Sequence, residues 1–200
     1  MKKYVWLTVF IGMVLVLSGC LDGNRSKNQH YASINNLKQI GLALMMYADD
    51  NRGNFPAPGA RGKDNRPDVV GGLDCLIRHD YLCDFNVYIM PYDTMGKIAV
   101  NKASFDPVEN CSYAYFGSGV AAGAVSGDFP IAIEKPWRLT ASSTKLAVLF
   151  ADGSVRSIEI PGVSSKSCRE VAEILMGLNS FTDKEKKLLR ENAVTADELR

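Results

Sequence analysis

Residues 33–50 carry the strongest helical pattern in the chain, and one side of this helix needs an apolar partner surface. Apolar side chains recur there at steps of three or four, the spacing of one helix face: Ile34, Leu37, Ile40, Leu44 and Tyr47. The stripe is broadened by three further apolar residues, Leu42, Met45 and Met46. Ser33 is the predicted N-cap, and the turn-forming run DDNRGNFP predicts that the helix ends near Asp50.

Residues 145–160 can supply that surface as a β-hairpin. The apolar, alternating runs KLAVLF and VRSIEI flank Asp152 and Gly153, and an Asp-Gly pair in this context is the strongest short-range hairpin signal. One long helix followed by an antiparallel hairpin predicts an α+β fold in which the helix packs on a small sheet.

The remaining elements are less strongly patterned. We predict a loop over 57–70, a short helix over 72–79, an extended piece over 87–91 and a strand within 111–119. The tail has two capping-box pairs, Ser167 with Glu170 and Thr182 with Glu185. These pairs predict an amphipathic helical hairpin folded on the domain, with a partner-binding arm as the alternative.

The N-terminus resembles the export signal of a bacterial lipoprotein. Two lysines precede an apolar run over 5–17, which is shorter than the roughly 20 residues of a membrane-spanning helix. The run ends in a sequence that matches a lipobox: Leu17, Ser18, Gly19 and Cys20. The match implies cleavage before Cys20 and attachment of fatty acyl chains such as palmitate to that residue. Two or three chains give stable anchoring, where one chain is marginal.

These signals divide the chain into four parts. Residues 1–19 are the predicted signal peptide, 20–32 a lipidated tether, 33–162 an α+β domain and 163–200 a C-terminal helical extension. The lipid places the protein at the cell membrane or the outer membrane, facing the periplasm or the exterior.

Charge and cysteine content restrict the partners. Without Lys2 and Lys3, 21 basic residues face 22 acidic ones, so nothing favours nucleic acid as a partner. Export permits disulfides, and the four cysteines besides Cys20 allow three complete pairings: Cys75, Cys83, Cys111 and Cys168. Two alternatives remain at this point: the chain has one or two structural disulfides, or the cysteines are buried free thiols that pack as small apolar side chains.

The order of motifs is similar to that of pseudopilin-like proteins, the type II secretion system protein G-like family. The opening of the spine helix in that family resembles Asn35, Asn36, Leu37, Lys38, Gln39 and Gly41 of this chain. Further similar segments follow in the same order: YLCDFNVYIMPYD (81–93), SYAYFGSG (112–119), PIAIEKP (130–136) and VLFADGSVRSI (148–158). The resemblance implies a pilin-like head, with a spine helix packed on a small antiparallel sheet.

The chain departs from the family pattern in three places. The lipobox replaces the prepilin leader and its membrane-spanning half helix, which argues against polymerisation into a pilus. Met90 stands where the family has a cysteine, so no disulfide is carried over to it. The histidine of the family's His-then-Asp-Gly motif is replaced by Ser142.

The resemblance also raises the question of calcium, which major pseudopilins hold in a loop near the end of the domain. Asp128, Glu134 and Asp152 are the candidate ligands, if the 119–135 loop folds back on the hairpin. Glu134 stands where the family often has an aspartate. A hairpin turn explains Asp152 and Gly153 without any metal, and we expect no other cofactor.

We expect no enzyme activity, because Ser112, Ser142 and Ser143 lie in no nucleophile elbow and His79 has no identifiable nucleophile partner.

The leading hypothesis is a lipid-anchored envelope protein with a structural or interaction role, related to secretion or pilus machinery. The alternative is a lipoprotein that binds a soluble ligand such as a carbohydrate through the loops 57–70 and 117–135. Three aromatic residues could stack on such a ligand: Tyr113, Tyr115 and Trp137.

Overall fold

The computed structural model describes residues 27–57, 72–198 and 200. The helices are α1 over 27–50, α2 (Leu73–Arg78), α3 (Cys168–Leu178) and α4 (Asp183–Asp197). The strands are β1 (Tyr113–Tyr115), β2 (Pro130–Glu134), β3 (Lys145–Phe150) and β4 (Val155–Glu159). The expected α+β fold, with one N-terminal helix, a small antiparallel sheet and C-terminal helices, is confirmed. Within the described ranges, no helix is both long and apolar enough for a membrane crossing.

The four strands follow one another in the sheet in chain order, and each pair is antiparallel. The β3–β4 hairpin is the predicted one, with Leu149 opposite Val155. Its turn places Gly153 at φ 80°, a left-handed conformation that favours glycine. The Asp152 carboxylate accepts a hydrogen bond from the Ser154 N–H at 2.8 Å and so stabilises the turn.

Helix α1 packs closely on the sheet. Its apolar face is buried over about three turns, at Leu37, Ile40, Ala43, Leu44, Tyr47 and Ala48. Gly41 allows the close approach, because a Cβ at this position would lie 2.7 Å from Cδ1 of Leu149 in β3. All residues of β3 after Lys145 are buried, which indicates that both faces of this strand are covered.

The C-terminal helices complete the core. Both predicted capping boxes are present, at Ser167 with Glu170 and at Thr182 with Glu185. Apolar residues of both helices belong to the same buried cluster as the sheet, among them Val171, Leu175, Leu189 and Ala193. The Asn192 amide donates to the Ser118 carbonyl at 3.0 Å, so α4 also holds the loop after β1. The helical hairpin is therefore folded on the domain, as predicted.

The predicted start of α1 is wrong. The helix already includes residues 27–32, part of the predicted tether, while 20–26 lie outside the described residues. Ser33 is in the helix interior and fully buried, and its hydroxyl donates to Glu134 rather than capping the helix. The face is also narrower than expected, because Leu42 and Met46 are 65% and 49% exposed.

Two local predictions around the sheet also fail. Residues 87–91 are not extended throughout, because Phe85–Tyr88 form a 3-10 helix whose N-cap Asp84 accepts from the Asn86 N–H at 3.0 Å. The predicted loop over 117–135 contains a strand, because Pro130–Glu134 form β2, whose five side chains are all buried and show no alternating pattern.

The four described cysteines are free thiols, so the disulfide alternative is not realised among them. Cys75, Cys111 and Cys168 are buried and pack as small apolar side chains, whereas Cys83 is exposed. The Cys83 thiol donates to the Asp80 carboxylate at 3.2 Å. The predicted signal peptide, Cys20 and most of the 57–70 loop lie outside the described residues.

Candidate functional site

The three predicted calcium ligands do not meet. Asp128 and Asp152 approach each other because both pair with Arg156 of β4, at 2.7 and 3.3 Å. The Arg156 guanidinium also lies 4.3 Å from the centre of the Phe150 ring. Glu134 is buried elsewhere and makes a different set of contacts. In the described part of the chain, no group of three or more acidic, histidine or cysteine side chains is arranged to hold a metal ion. The condition for a calcium site at these three residues is therefore not met, since Arg156 pairs with both aspartates and Glu134 lies apart from them.

Glu134 instead connects helix α1 to the sheet. It is the last residue of β2 and is fully buried. One carboxylate oxygen accepts from the Ser33 hydroxyl of α1 at 2.5 Å and from the Tyr92 hydroxyl. The other accepts from the Ala147 N–H of β3 at 2.7 Å. A single side chain thus joins α1, two strands and the loop at Tyr92.

The electrostatics of Glu134 reflect its burial. Removal from water raises the pKa of this carboxyl group, because the charged form loses its hydration. The hydrogen bonds from Ala147, Ser33 and Tyr92 oppose that shift, as does the charge of His30. Burial likewise raises the pKa of the Tyr92 hydroxyl, and the nearby Glu134 charge adds to the effect. Tyr92 therefore stays a protonated donor to the carboxylate.

The motif residues of α1 divide into buried and exposed sets. Leu37 is in the core, and the Asn36 amide donates to the Ile89 carbonyl at 3.1 Å, which anchors the segment before Tyr92. Gly41 makes the close contact with the sheet. The other three motif residues are exposed: Asn35, Lys38 and Gln39.

Next to the Glu134 network lies a cleft of about 480 Å³. It is bounded by the N-terminal turns of α1, by Tyr92 and by the loop that leads into β3. Its lining residues are Lys27, Gln29, His30, Tyr31, Tyr92, Thr140, Ser142, Ser143, Thr144 and Lys145. We name this space the α1 cleft. Ser142, one of the serines considered above, lines this cleft.

The candidate catalytic side chains are placed in separate surroundings. The Ser112 hydroxyl donates to the Asp93 carboxylate at 2.6 Å and accepts from the Met90 N–H at 3.0 Å. Asp93 also pairs with the buried Arg138, so this group holds the 90–112 segment in place. His79 packs against Tyr47, with ring centres 6.3 Å apart. The structure does not bring His79 to either Ser142 or Ser143, which line the α1 cleft.

The aromatic residues considered for carbohydrate stacking are mostly inaccessible. Tyr113 and Tyr115 are 2% and 8% exposed, and the Tyr115 hydroxyl donates to the Pro56 carbonyl at 2.7 Å. Trp137 is half-buried, with the Arg200 guanidinium 5.8 Å from its ring centre. Neither tyrosine can therefore offer a ring face to a sugar.

Comparisons with protein-family models, with curated proteins and with solved structures find no significant match to this chain.

Sequence reasoning missed most residues of the α1 cleft. One signal for the network was visible, because a glutamate within the apolar run PIAIEKP needs buried partners. Lys27 and Lys145 carried no such signal, since isolated lysines at the ends of elements are common on protein surfaces. Only the fold brings these lysines to one cavity, from positions more than a hundred residues apart.

Proposed function

We propose that this protein is a lipid-anchored, pseudopilin-like protein of the cell envelope with a structural or interaction role. The supporting observation is the close packing at Gly41 of α1 on the sheet, in a chain whose N-terminal segment contains lipobox residues. This is the helix-on-sheet arrangement that the family resemblance implies. The lipid on Cys20 takes the place of the membrane-crossing half of a pilin helix.

An interaction role is supported by the surface of α1. Leu42 and Met46 lie one helical turn apart and are exposed, so the helix keeps apolar side chains in solvent. Such residues are expected where another protein packs. Pseudopilins or other components of secretion machinery are the partners that the family resemblance implies.

The anchor is tested with Cys20→Ala. Metabolic labelling with a fatty acid analogue should label the unaltered chain and leave the variant unlabelled. Cys83→Ala is the matched control, because it removes an exposed thiol and should keep the label. Acyl label retained by Cys20→Ala would refute the anchor.

The interaction role is tested by crosslinking the intact, anchored chain in its native membrane and identifying the captured proteins. We expect secretion or pilus-like components with the unaltered chain and fewer with Leu42→Ser/Met46→Ser. Capture that is unchanged by this double substitution would refute the role of the α1 surface. Capture without any such component would refute the relation to that machinery.

A further inference from the structure

The α1 cleft has the charge of an anion-binding site. Lys27 and Lys145 both line it, together with His30, and no carboxylate is among its lining residues. In the described part of the chain, neither lysine forms an ion pair. Glu134 and Glu159, which lie near this region, pair with neither lysine. Glu134 lies behind Tyr92 with its hydrogen bonds satisfied, and Glu159 is opposite Lys145 across the strands without pairing with it.

Hydroxyl groups complete the donor set. Ser142 and Thr144 line the cleft, and their side chains make no hydrogen bond within the described residues. The hydroxyls of Thr140 and Ser143 are 2.8 Å apart, so they bond to each other and keep the loop folded. The His30 ring is held in place by a 2.9 Å hydrogen bond to the Ser157 hydroxyl. Two lysines and two residues with hydroxyl donors thus line one cavity.

The dimensions select the class of ligand. A volume of about 480 Å³ is within the range of small-molecule sites, roughly 300–1,000 Å³, and exceeds what a bare inorganic anion fills. Tyr31 and Tyr92 add aromatic surface for the non-ionic part of a ligand. Lysine ammonium groups and hydroxyls are suited to phosphate oxygens, which accept several charge-assisted hydrogen bonds.

We propose that the α1 cleft binds the phosphate group of a small phosphate ester. One source is a soluble ester, and the other is the headgroup of an anionic phospholipid. The lipid source rests on the anchoring proposed above, whereas the soluble source does not. Cys20 precedes Lys27 by seven residues, which span at most about 25 Å, so an anchored chain keeps the cleft near the headgroups. Tyr31 is 63% exposed at the rim, as aromatic side chains at a membrane interface are.

The test is calorimetric titration of the full chain in micelles of an uncharged detergent, at constant ionic strength. Glycerol 1-phosphate is the soluble probe, and phosphatidylglycerol added to the micelles is the lipid probe. Diacylglycerol, which lacks the phosphate, controls for insertion of the acyl chains. We expect saturable binding of at least one phosphate probe. Binding of phosphatidylglycerol alone assigns the lipid source, and binding of glycerol 1-phosphate assigns the soluble one.

The matched variants have equal charge changes. Lys27→Gln/Lys145→Gln should weaken binding by roughly tenfold or more, because both charged donors are lost. Lys38→Gln/Lys184→Gln removes two exposed lysines outside the cleft and should leave the affinity unchanged. Equal affinities of the two double variants, or no saturable binding to the unaltered chain, would overturn the proposal. Absence of acyl label on Cys20 would refute the lipid anchor but not the phosphate site, because binding of glycerol 1-phosphate does not depend on the anchor.

Discussion

At the scale of single residues, Glu134 determines how α1 sits on the sheet. It is the one acceptor shared by Ser33, Tyr92 and the Ala147 N–H. Glu134→Ala should lower the free energy of unfolding by about 2–4 kcal/mol, because three buried donors lose their acceptor. Glu134→Gln should cost less than about 1 kcal/mol at neutral pH, because the amide can accept from Ala147 while the two hydroxyls reorient to accept its N–H groups.

Urea unfolding at pH 7 measures both effects. The informative quantity is the difference between the two variants, since both remove the charge and only one removes the hydrogen-bonding groups. Equal free energies of unfolding for Glu134→Ala and Glu134→Gln would mean that the network adds no stability.

The raised pKa of Glu134 predicts a pH dependence of a definite sign. The folded protein keeps the Glu134 proton to a higher pH than the unfolded chain, whose carboxyl titrates near 4.5. Stability from this group is therefore greatest below that value, and it declines as the pH rises through the folded-state pKa. We expect the stability of Glu134→Gln relative to the unaltered chain to rise between pH 4.5 and 8, because only the unaltered chain loses stability through this titration. The difference in unfolding free energy measured across that range isolates Glu134, and a constant difference contradicts its shifted titration.

At the scale of elements, the close approach of α1 to β3 depends on Gly41, which has no side chain. Gly41→Ala would place a Cβ 2.7 Å from Cδ1 of the buried Leu149, and we expect a loss of about 1–3 kcal/mol from this overpacking. Gly177→Ala in α3 is the matched control, because a Cβ there meets nothing within 4 Å. That change should stabilise the protein by about 0.5–1 kcal/mol through helix propensity.

The contact itself is tested by a double-mutant cycle. Leu149→Val shortens the side chain that opposes Gly41, so Gly41→Ala should cost less in that background. An identical cost with leucine and with valine would show that the penalty arises elsewhere.

The two C-terminal helices depend on their N-caps. Ser167→Ala and Thr182→Ala should each lower the free energy of unfolding by about 1 kcal/mol, because each removes an acceptor for an N3 backbone N–H. Ser165→Ala is the control, since Ser165 is exposed and its side chain caps no helix. Thermal or urea unfolding of the three variants measures this, and equal stability of all three would contradict the caps.

Elements with local signals were predicted well, and elements defined by tertiary contacts were not. The signals for the hairpin turn and for the two helix caps each lie within a few residues of sequence, at Asp152-Gly153, Ser167 and Thr182. The hairpin and both C-terminal helices could therefore be predicted from the sequence. Strand β2 has no alternating pattern, because both of its faces are buried. Ser33 has the chemistry of an N-cap, but Glu134, a hundred residues away, uses its hydroxyl instead.

At the scale of the whole molecule, the candidate site also depends on tertiary contacts and so could not be predicted from local sequence. The α1 cleft joins the first turns of α1 to the loop before β3, and no local pattern relates Lys27 to Lys145. The disulfide alternative fails for a similar reason. Cysteine count and export permit pairing, but only the fold decides whether two thiols meet.

The free thiols give the whole fold a chemical test. Cys83 is exposed and should react with a thiol reagent in the native protein, increasingly at higher pH, because partial burial and the Asp80 hydrogen bond raise its pKa. Cys75, Cys111 and Cys168 are buried and should react only when the domain unfolds. Counting reacted thiols without reductant, before and after denaturation, should therefore give one fast thiol and then three more, Cys20 apart. Cys83→Ser should abolish the fast reaction alone. Fewer thiols after denaturation would reveal a disulfide and would require a different arrangement of the core around these cysteines.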